Sequence, residues 1–339
     1  MVVLYGRLTL IVPRFWAEGR IQDRVAGQQV TVRRFGWSDD SPLAAQAHAD
    51  QRTREAYDRI VSGEKLERRE RKLAYNGANG VPIREEIVER QGDSIVTRNS
   101  YGARCLNTPD VLFVDVDFEG EEGGSRRSAR GLIVIGAAFI GSLAAGYATR
   151  SAMASVAAFM LVAAFGFWRA HREGLPVVED KSDPLAGARA RVEGFIQLHP
   201  DWHLRLYRTP AGLRVLAMHD VFAPSDAAVT DVFQTLGADP VYARMCRNQN
   251  CFRARLSAKP WRVGIGEHLR PRPGVWPVSS DRLPARDAWV ARYEKAAEGY
   301  AACHYLGSLG NTLKVHLNAL VVQELHDERT RANSGLPLA

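Results

Sequence analysis

Asp115 and Asp117 form the pair with the clearest chemical potential in this sequence. They close the run VLFVDVDFEG (Val111 to Gly120), whose apolar stretch up to Asp115 predicts a central strand buried on both faces. Alternate strand residues point the same way, so Asp115-Val116-Asp117 sets two carboxylates side by side. Like charges that close repel each other, and a divalent cation is the usual remedy. The pair is therefore a candidate ligand set for Mg2+ or Mn2+ in phosphoryl-transfer chemistry. The plainer alternative is a strand that ends in solvated acids before the acidic stretch EGEEGGS.

A second group is basic. Arg244, Arg247, Arg253, Arg255, Lys259 and Arg262 fall within nineteen residues, and CFRARL (Cys251 to Leu256) alternates as a strand with Arg253 and Arg255 on one face. Arg253, Arg255, Lys259 and Arg262 are candidate phosphate or anion ligands, with lipid headgroups or plain solvent as the competing readings. A third element is the hairpin YRTPAGLRVLAMH (Tyr207 to His219), two strands joined by a turn with Pro and Gly. Hydrophobic-Asp-hydrophobic-Asp, then Thr-x-x-Gly-x-Arg and a downstream basic strand, resembles the catalytic core of archaeo-eukaryotic-type primase–polymerases. That resemblance implies Asp115 and Asp117 as metal ligands, Arg214 or His219 facing a nucleoside triphosphate, and Asp220 as a third acid. The phrases VPRFWAEGR, YNGANGVPIREEI, NSYGARCLNTPDVLF and CFRARLSAKPWR are also similar to those of an uncharacterised group of bacterial transmembrane proteins, a resemblance that implies no activity.

Other patterns point to less. Cys105, Cys246, Cys251 and Cys303 are scattered, and Cys246-x4-Cys251 has no second pair, so buried reduced thiols are the simpler reading than zinc or disulfides. His199-Pro200-Asp201-Trp202-His203 offers metal-ligating side chains at a helix-to-strand turn where polar residues are ordinary. No P-loop, GxGxxG or GxSxG element occurs.

The elements that must position these groups come from the rest of the 339 residues. The opening MVVLYGRLTLIVPRFW is too short to span a bilayer and reads as a first strand or as an extension upstream of the true start. The alternation in QQVTVRRFGW (Gln28 to Trp37) predicts a strand. Ser38 to Pro42 starts a helix, and Leu43 to Lys72 is one long charged helical stretch. Short strands are expected at Ile87-Val88 and Ser94 to Thr97, helices at Ala186 to Leu198 and Ser225 to Leu236. A final helical region is expected from about Ala285 to Arg331. The divisions this suggests are an N-terminal α+β region (1–105), a core strand with its linker (106–123), the rest of an α+β core (174–270) and a C-terminal helical region (285–331).

Between the two halves of that core lies an apolar block. GLIVIGAAFIGSLAAGYAT (Gly131 to Thr149) and SAMASVAAFMLVAAFGFW (Ser151 to Trp168) flank Arg150 alone. At about 1.5 Å per residue each is long enough to cross a hydrocarbon core of roughly 30 Å. Small residues at i, i+4 (Ala137, Gly141, Ala145; Ala154, Ala158) suit a close antiparallel pair. Arg126, Arg127, Arg130, Arg169 and Arg172 lie outside the turn against Arg150 within it, a bias that puts both chain ends in the cytoplasm.

Composition adds a formal charge of +7, which suits anionic partners. The fold expected is an α+β cytoplasmic domain interrupted by a two-helix transmembrane hairpin (131–168), in a bacterial inner membrane. The function expected is a membrane-anchored binding or scaffold module with the lipid bilayer and an unidentified protein as partners. The alternative is a membrane-tethered, metal-dependent enzyme acting on a nucleotide or nucleic acid.

Overall fold

The computed structural model describes residues 12–25, 27–72, 81–118, 183–272 and 274–339. The first described element is a β-hairpin of β1 (Phe15–Val25) and β2 (Gln28–Ser38), paired antiparallel from Phe15↔Ser38 to Val25↔Gln28. The helix α1 (Pro42–Val61) follows, with Ser41 accepting a hydrogen bond from the Ala44 amide and Pro42 in the first turn. Its Ala45, Ala49 and Thr53 lie directly on the hairpin. Only glycine fits opposite them: a Cβ on Gly36 would stand 2.1 Å from the Ala49 nitrogen, and one on Gly19 2.4 Å from Thr53 Oγ1. Val30 and Val32 fill the remaining space beside Ala56.

Two four-stranded sheets follow. One runs β3 (Glu86–Gln91), β4 (Ser94–Arg98), β5 (Arg104–Thr108), β9 (Phe252–Arg255), antiparallel throughout. The chain then leaves that sheet through Pro109 and Asp110 and enters β6 (Phe113–Asp117) of the other. There the order is β10 (His304–Gly310), β7 (His203–Thr209), β8 (Gly212–Ala217), β6. A tight turn at Pro210 and Ala211 joins β7 to β8 in register from Leu204↔Ala217 to Thr209↔Gly212. The remaining described helices are α2 (Pro184–Leu198), α3 (Ala227–Leu236), α4 (Pro240–Gln249), α5 (Leu283–Ala297) and α6 (Leu317–Thr330). Two compact units divide the chain, Met1–Val116 with Val192–Ala339, and Asp117–Arg191. Of the second, Asp117, Phe118 and residues 183–191 are described.

Several expectations need correction. The described fold is mixed α+β, and among the described residues no helix is long and apolar enough to cross a membrane. The fold class with a transmembrane hairpin is overturned on that finding. So are the inner-membrane location with cytoplasmic termini and the reading as a membrane-anchored scaffold or membrane-tethered enzyme. Residues 131–168, where the hairpin was placed, lie outside the described residues. The helix expected over 43–72 stops at Val61. Arg33 then pairs with the following chain instead, its amide donating to the Arg68 carbonyl (2.8 Å) and its carbonyl accepting from Glu70 (3.0 Å). The final helical region is two helices with the strand β10 between them.

Candidate functional site

Sheet alternation places Asp115 of β6 and Arg214 of β8 on one face, and they meet as a two-pronged ion pair. Arg214 donates from Nε and Nη2 to the Asp115 carboxylate oxygens at 2.7 and 3.0 Å. Its Nη1 donates to the Arg255 carbonyl at 2.9 Å and faces His326 Nε2 at 3.3 Å. Arg214 is 2% exposed. Burial by itself would lower its pKa, but the Asp115 carboxylate outweighs that and holds the guanidinium above its ordinary value. The contact continues along α6. His326 Nδ1 donates to Asp327 at 2.9 Å, and Asp327 also accepts from Arg205 (2.8 Å) and Gln323 (2.6 Å). Arg205 Nε donates to the Tyr207 hydroxyl at 2.9 Å. With Nε2 accepting from Arg214 and Nδ1–H donating to Asp327, His326 is neutral, and burial lowers its pKa accordingly.

Cys303 Sγ lies 4.0 Å from His326 Nε2, which puts a thiol, an imidazole and a carboxylate in line. That order suits nucleophilic catalysis, but the surroundings do not. Cys303 and His326 are both 0% exposed, Arg214 already occupies Nε2, and burial pushes the Cys303 thiol up to about 11. The line is part of the fold's interior.

Metal binding at Asp115 and Asp117 is corrected on the same geometry. Arg214 supplies the positive charge that a cation would have brought to Asp115. Asp117 ends β6 exposed, in the other compact unit. Among the described residues no group of three or more His, Cys, Asp or Glu side chains is disposed to hold a metal ion. His203, from the second candidate metal segment, spends Nδ1 on the Lys314 carbonyl at 3.2 Å, and His199 stacks on Phe195.

The other sequence candidates separate. His219 packs among Trp202 (4.2 Å between centroids) and Phe222 (5.5 Å). Burial, with Lys314 adding to it, lowers its pKa to about 4. Asp220 is exposed and turns back to accept from the Val221 amide. Arg253 is buried with Glu85, Nη2 donating to Oε2 at 2.6 Å, and the same carboxylate oxygen accepts from Thr97 at 2.6 Å. Arg244 and Arg247 are exposed on α4. Arg253 thus holds the interior of the first sheet together, while the half-buried Arg255 and Lys259 meet a second location, and Arg262 follows it in the chain.

That location is a platform built on Trp261, which is 56% exposed. Its indole lies tilted on the Tyr101 ring, centroids 5.4 Å apart, and the Lys259 ammonium sits 5.5 Å from the indole centroid. Arg255 donates to the Tyr101 hydroxyl, and burial raises that phenol's pKa. Trp261 and Arg262 belong to a 3-10 turn, Pro260–Val263, ended by Gly264 at φ 80°. Neighbouring polar contacts fix both supporting loops. Asn99 Oδ1 accepts from the amides of Tyr101, Gly102 and Ala103 at 3.2, 3.0 and 3.0 Å. The Arg104 amide donates to Ser257 Oγ, which meets the Tyr293 hydroxyl at 2.7 Å, and that hydroxyl donates to the Ala258 carbonyl at 2.6 Å. Trp289 and Tyr293 of α5, stacked at 5.3 Å, close the underside with Ala258 and Val263. Tyr101 and Trp261 were not picked out from the sequence. The available signal was the interleaving of base and aromatic in Lys259-Pro260-Trp261-Arg262.

Comparisons with protein-family models, with curated proteins and with solved structures gave no match.

Proposed function

We propose that this protein is a binding module for single-stranded nucleic acid, with Trp261 as the stacking surface. Exposure of an indole between a phenol and an ammonium is the observation that carries this reading. Unpaired bases stack on aromatic side chains with little regard to sequence, each such contact being worth about 1–3 kcal/mol, and flanking cations follow the phosphates. Lys259 and Arg262 stand on either side of Trp261 in the chain, and Arg255 orients its aromatic neighbour. The excess of 45 Lys and Arg over 38 Asp and Glu favours approach of a polyanion. The bidentate Asp115–Arg214 pair supports binding rather than metal-assisted chemistry as the activity, since it neutralises the acid best placed for a metal.

Fluorescence anisotropy of a labelled oligothymidylate tests the reading directly. Wild type should bind, and Trp261→Ala should weaken binding about tenfold or more. With about two phosphates engaged, log Kd against log salt should slope by roughly 1.4. A duplex of the same length should compete poorly, because its bases are already stacked. Equal affinity of Trp261→Ala and wild type would sink the proposal.

A further inference from the structure

Before α5, Pro271, Arg272, Val275 and Pro277 help to line a cleft of about 420 Å³. Such a volume is of the size that receives small molecules rather than polymer chains. Its lining divides by chemistry. Val275, Pro277 and Val278 give an apolar wall, and Lys72, Arg272 and Arg282 bring three cations to the same space. The Lys72 ammonium is drawn in by the Pro277 carbonyl, to which it donates at 3.1 Å. Arg84 stands behind that wall, donating from Nε to the Trp276 carbonyl at 2.8 Å and lying over the rings of Phe35 (4.0 Å) and Trp16 (4.5 Å).

The positive charge is poorly offset. Among the described residues the one carboxylate within ion-pair distance of Lys72, Arg272 or Arg282 is Asp281, 3.9 Å from Arg282 Nε with both side chains well exposed. A loose pair of that kind contributes little. Burial lowers the Lys72 pKa, Arg84 adds to that, and Glu18 opposes it more weakly. Three cations lining one concavity, two of them guanidinium forks, match a doubly charged tetrahedral oxyanion better than a monocarboxylate. The adjoining valine and proline surface matches an apolar substituent on that anion.

We propose that this cleft binds a phosphate monoester, with the phosphate held by Lys72, Arg272 and Arg282 and the organic group against Val275, Pro277 and Val278. None of these residues belongs to the Trp261 platform, so the site stands whether or not that platform binds nucleic acid. The ligand is a small molecule and the binding needs no covalent step.

Calorimetric titration of the full chain with phenyl phosphate, and separately with inorganic phosphate, tests the proposal, with thermal melts run alongside. Phenyl phosphate should bind and raise Tm with concentration. Arg272→Gln/Arg282→Gln should weaken that binding tenfold or more, whereas Trp261→Ala should leave it unchanged. Inorganic phosphate should bind more weakly than the ester, because it lacks the group that meets the valines. Both arginines are exposed, so the double variant should keep the wild-type Tm without ligand. Should it melt early, Lys72→Gln takes its place in the same titration. Absence of phenyl phosphate binding at about 10 mM, a concentration far above ordinary metabolite affinities, overturns the proposal. Undiminished binding in the charge variants also overturns it, as does loss of binding in Trp261→Ala. Equal affinity for the two phosphates removes the apolar wall from the site and overturns the monoester assignment.

Discussion

The Asp115–Arg214–His326 interior and the Trp261 surface contain similar kinds of side chain in opposite states. In the first, every strongly polar group named above meets another: carboxylate with guanidinium, guanidinium with carbonyl and imidazole, imidazole with carboxylate. In the second, the largest aromatic surface is left facing outward, with its cations beside it. Acid, His and Cys residues that suggest catalysis on paper are, in the first region, spent on one another. A polar network whose members are already paired within the protein offers little to a ligand, even where the Asp115 carboxylate is 29% exposed. The Trp261 platform is the reverse case, since a rigid hydrogen-bonded base holds up a surface that the fold itself does not use.

Breaking the first region should have the largest effect. Arg214→Ala removes the guanidinium from Asp115, the Arg255 carbonyl and His326 at once, and should cost about 3–5 kcal/mol in urea unfolding. Removing both charges in Asp115→Leu/Arg214→Met should recover much of that loss, because the penalty comes from the unpaired partner more than from a strong net pair. A loss near zero for Arg214→Ala would mean that water already reaches the pair, and Asp115 would return as a metal candidate. Mg2+ titrated against wild type should accordingly leave Tm unchanged.

A smaller effect should come from the base of the platform. Gly102 sits at φ 104°, and a Cβ there would stand 2.3 Å from the ring of Trp289. Gly102→Ala should cost about 2–3 kcal/mol, from strain in the left-handed backbone and from displacement of the indole. Tyr101 is the preceding residue, so nucleotide affinity should fall in the same variant. Affinity unchanged at reduced stability would separate the platform from its base.

Acid should act on the interior histidines with a definite sign. His219 has a folded-state pKa of about 4 against an ordinary 6.5, and burial lowers His203 and His326 in the same direction. Because the folded value is depressed, the unfolded chain binds more protons between these two pH values. Stability is then full above pH 6.5 and is lost as pH falls towards 4. For His219 the loss between pH 7 and pH 5 is about 2 kcal/mol. His219→Phe, set between Trp202 and Phe222, should remove that share of the slope in urea midpoints measured across the range. A wild-type midpoint that does not move between pH 7 and pH 5 would show that His219 does not stay neutral in the fold.

What was legible in the sequence follows from how local each signal is. The β7–β8 hairpin could be read because its turn chemistry and its alternation lie within a few residues, and the start of α1 because Ser41 and Pro42 are adjacent to it. The Asp115–Arg214 contact spans 99 residues, and nothing near either side chain distinguishes a metal ligand from half of an ion pair. Arg253 and Arg255 share a strand face by alternation, yet Glu85, 168 residues away, buries the first while the second reaches Tyr101. The strand β10 was hidden within a helical reading of 285–331 because its pairing partner is β7, about a hundred residues earlier. Trp261 looked ordinary for a similar reason, since whether an indole is core or surface depends on what α5 places beneath it.

The smallest expected stability change is the sharpest test of the contrast. Trp261→Ala removes one of the largest side chains of the protein, and a buried indole would cost about 3–5 kcal/mol on truncation. At 56% exposure, beside the Tyr101 ring and the Lys259 ammonium, it should change stability by no more than about 0.5 kcal/mol. Trp289→Ala, 1% exposed directly beneath the same loops, is the matched comparison and should lose the full core amount. Urea unfolding of the two variants under one set of conditions separates surface from support. If Trp261→Ala unfolds as early as Trp289→Ala, the indole belongs to the core cluster and the platform is no longer a place for a base to stack. If the two differ by several kcal/mol, the fold holds Trp261 out at little gain to itself, which is the condition a binding residue has to meet.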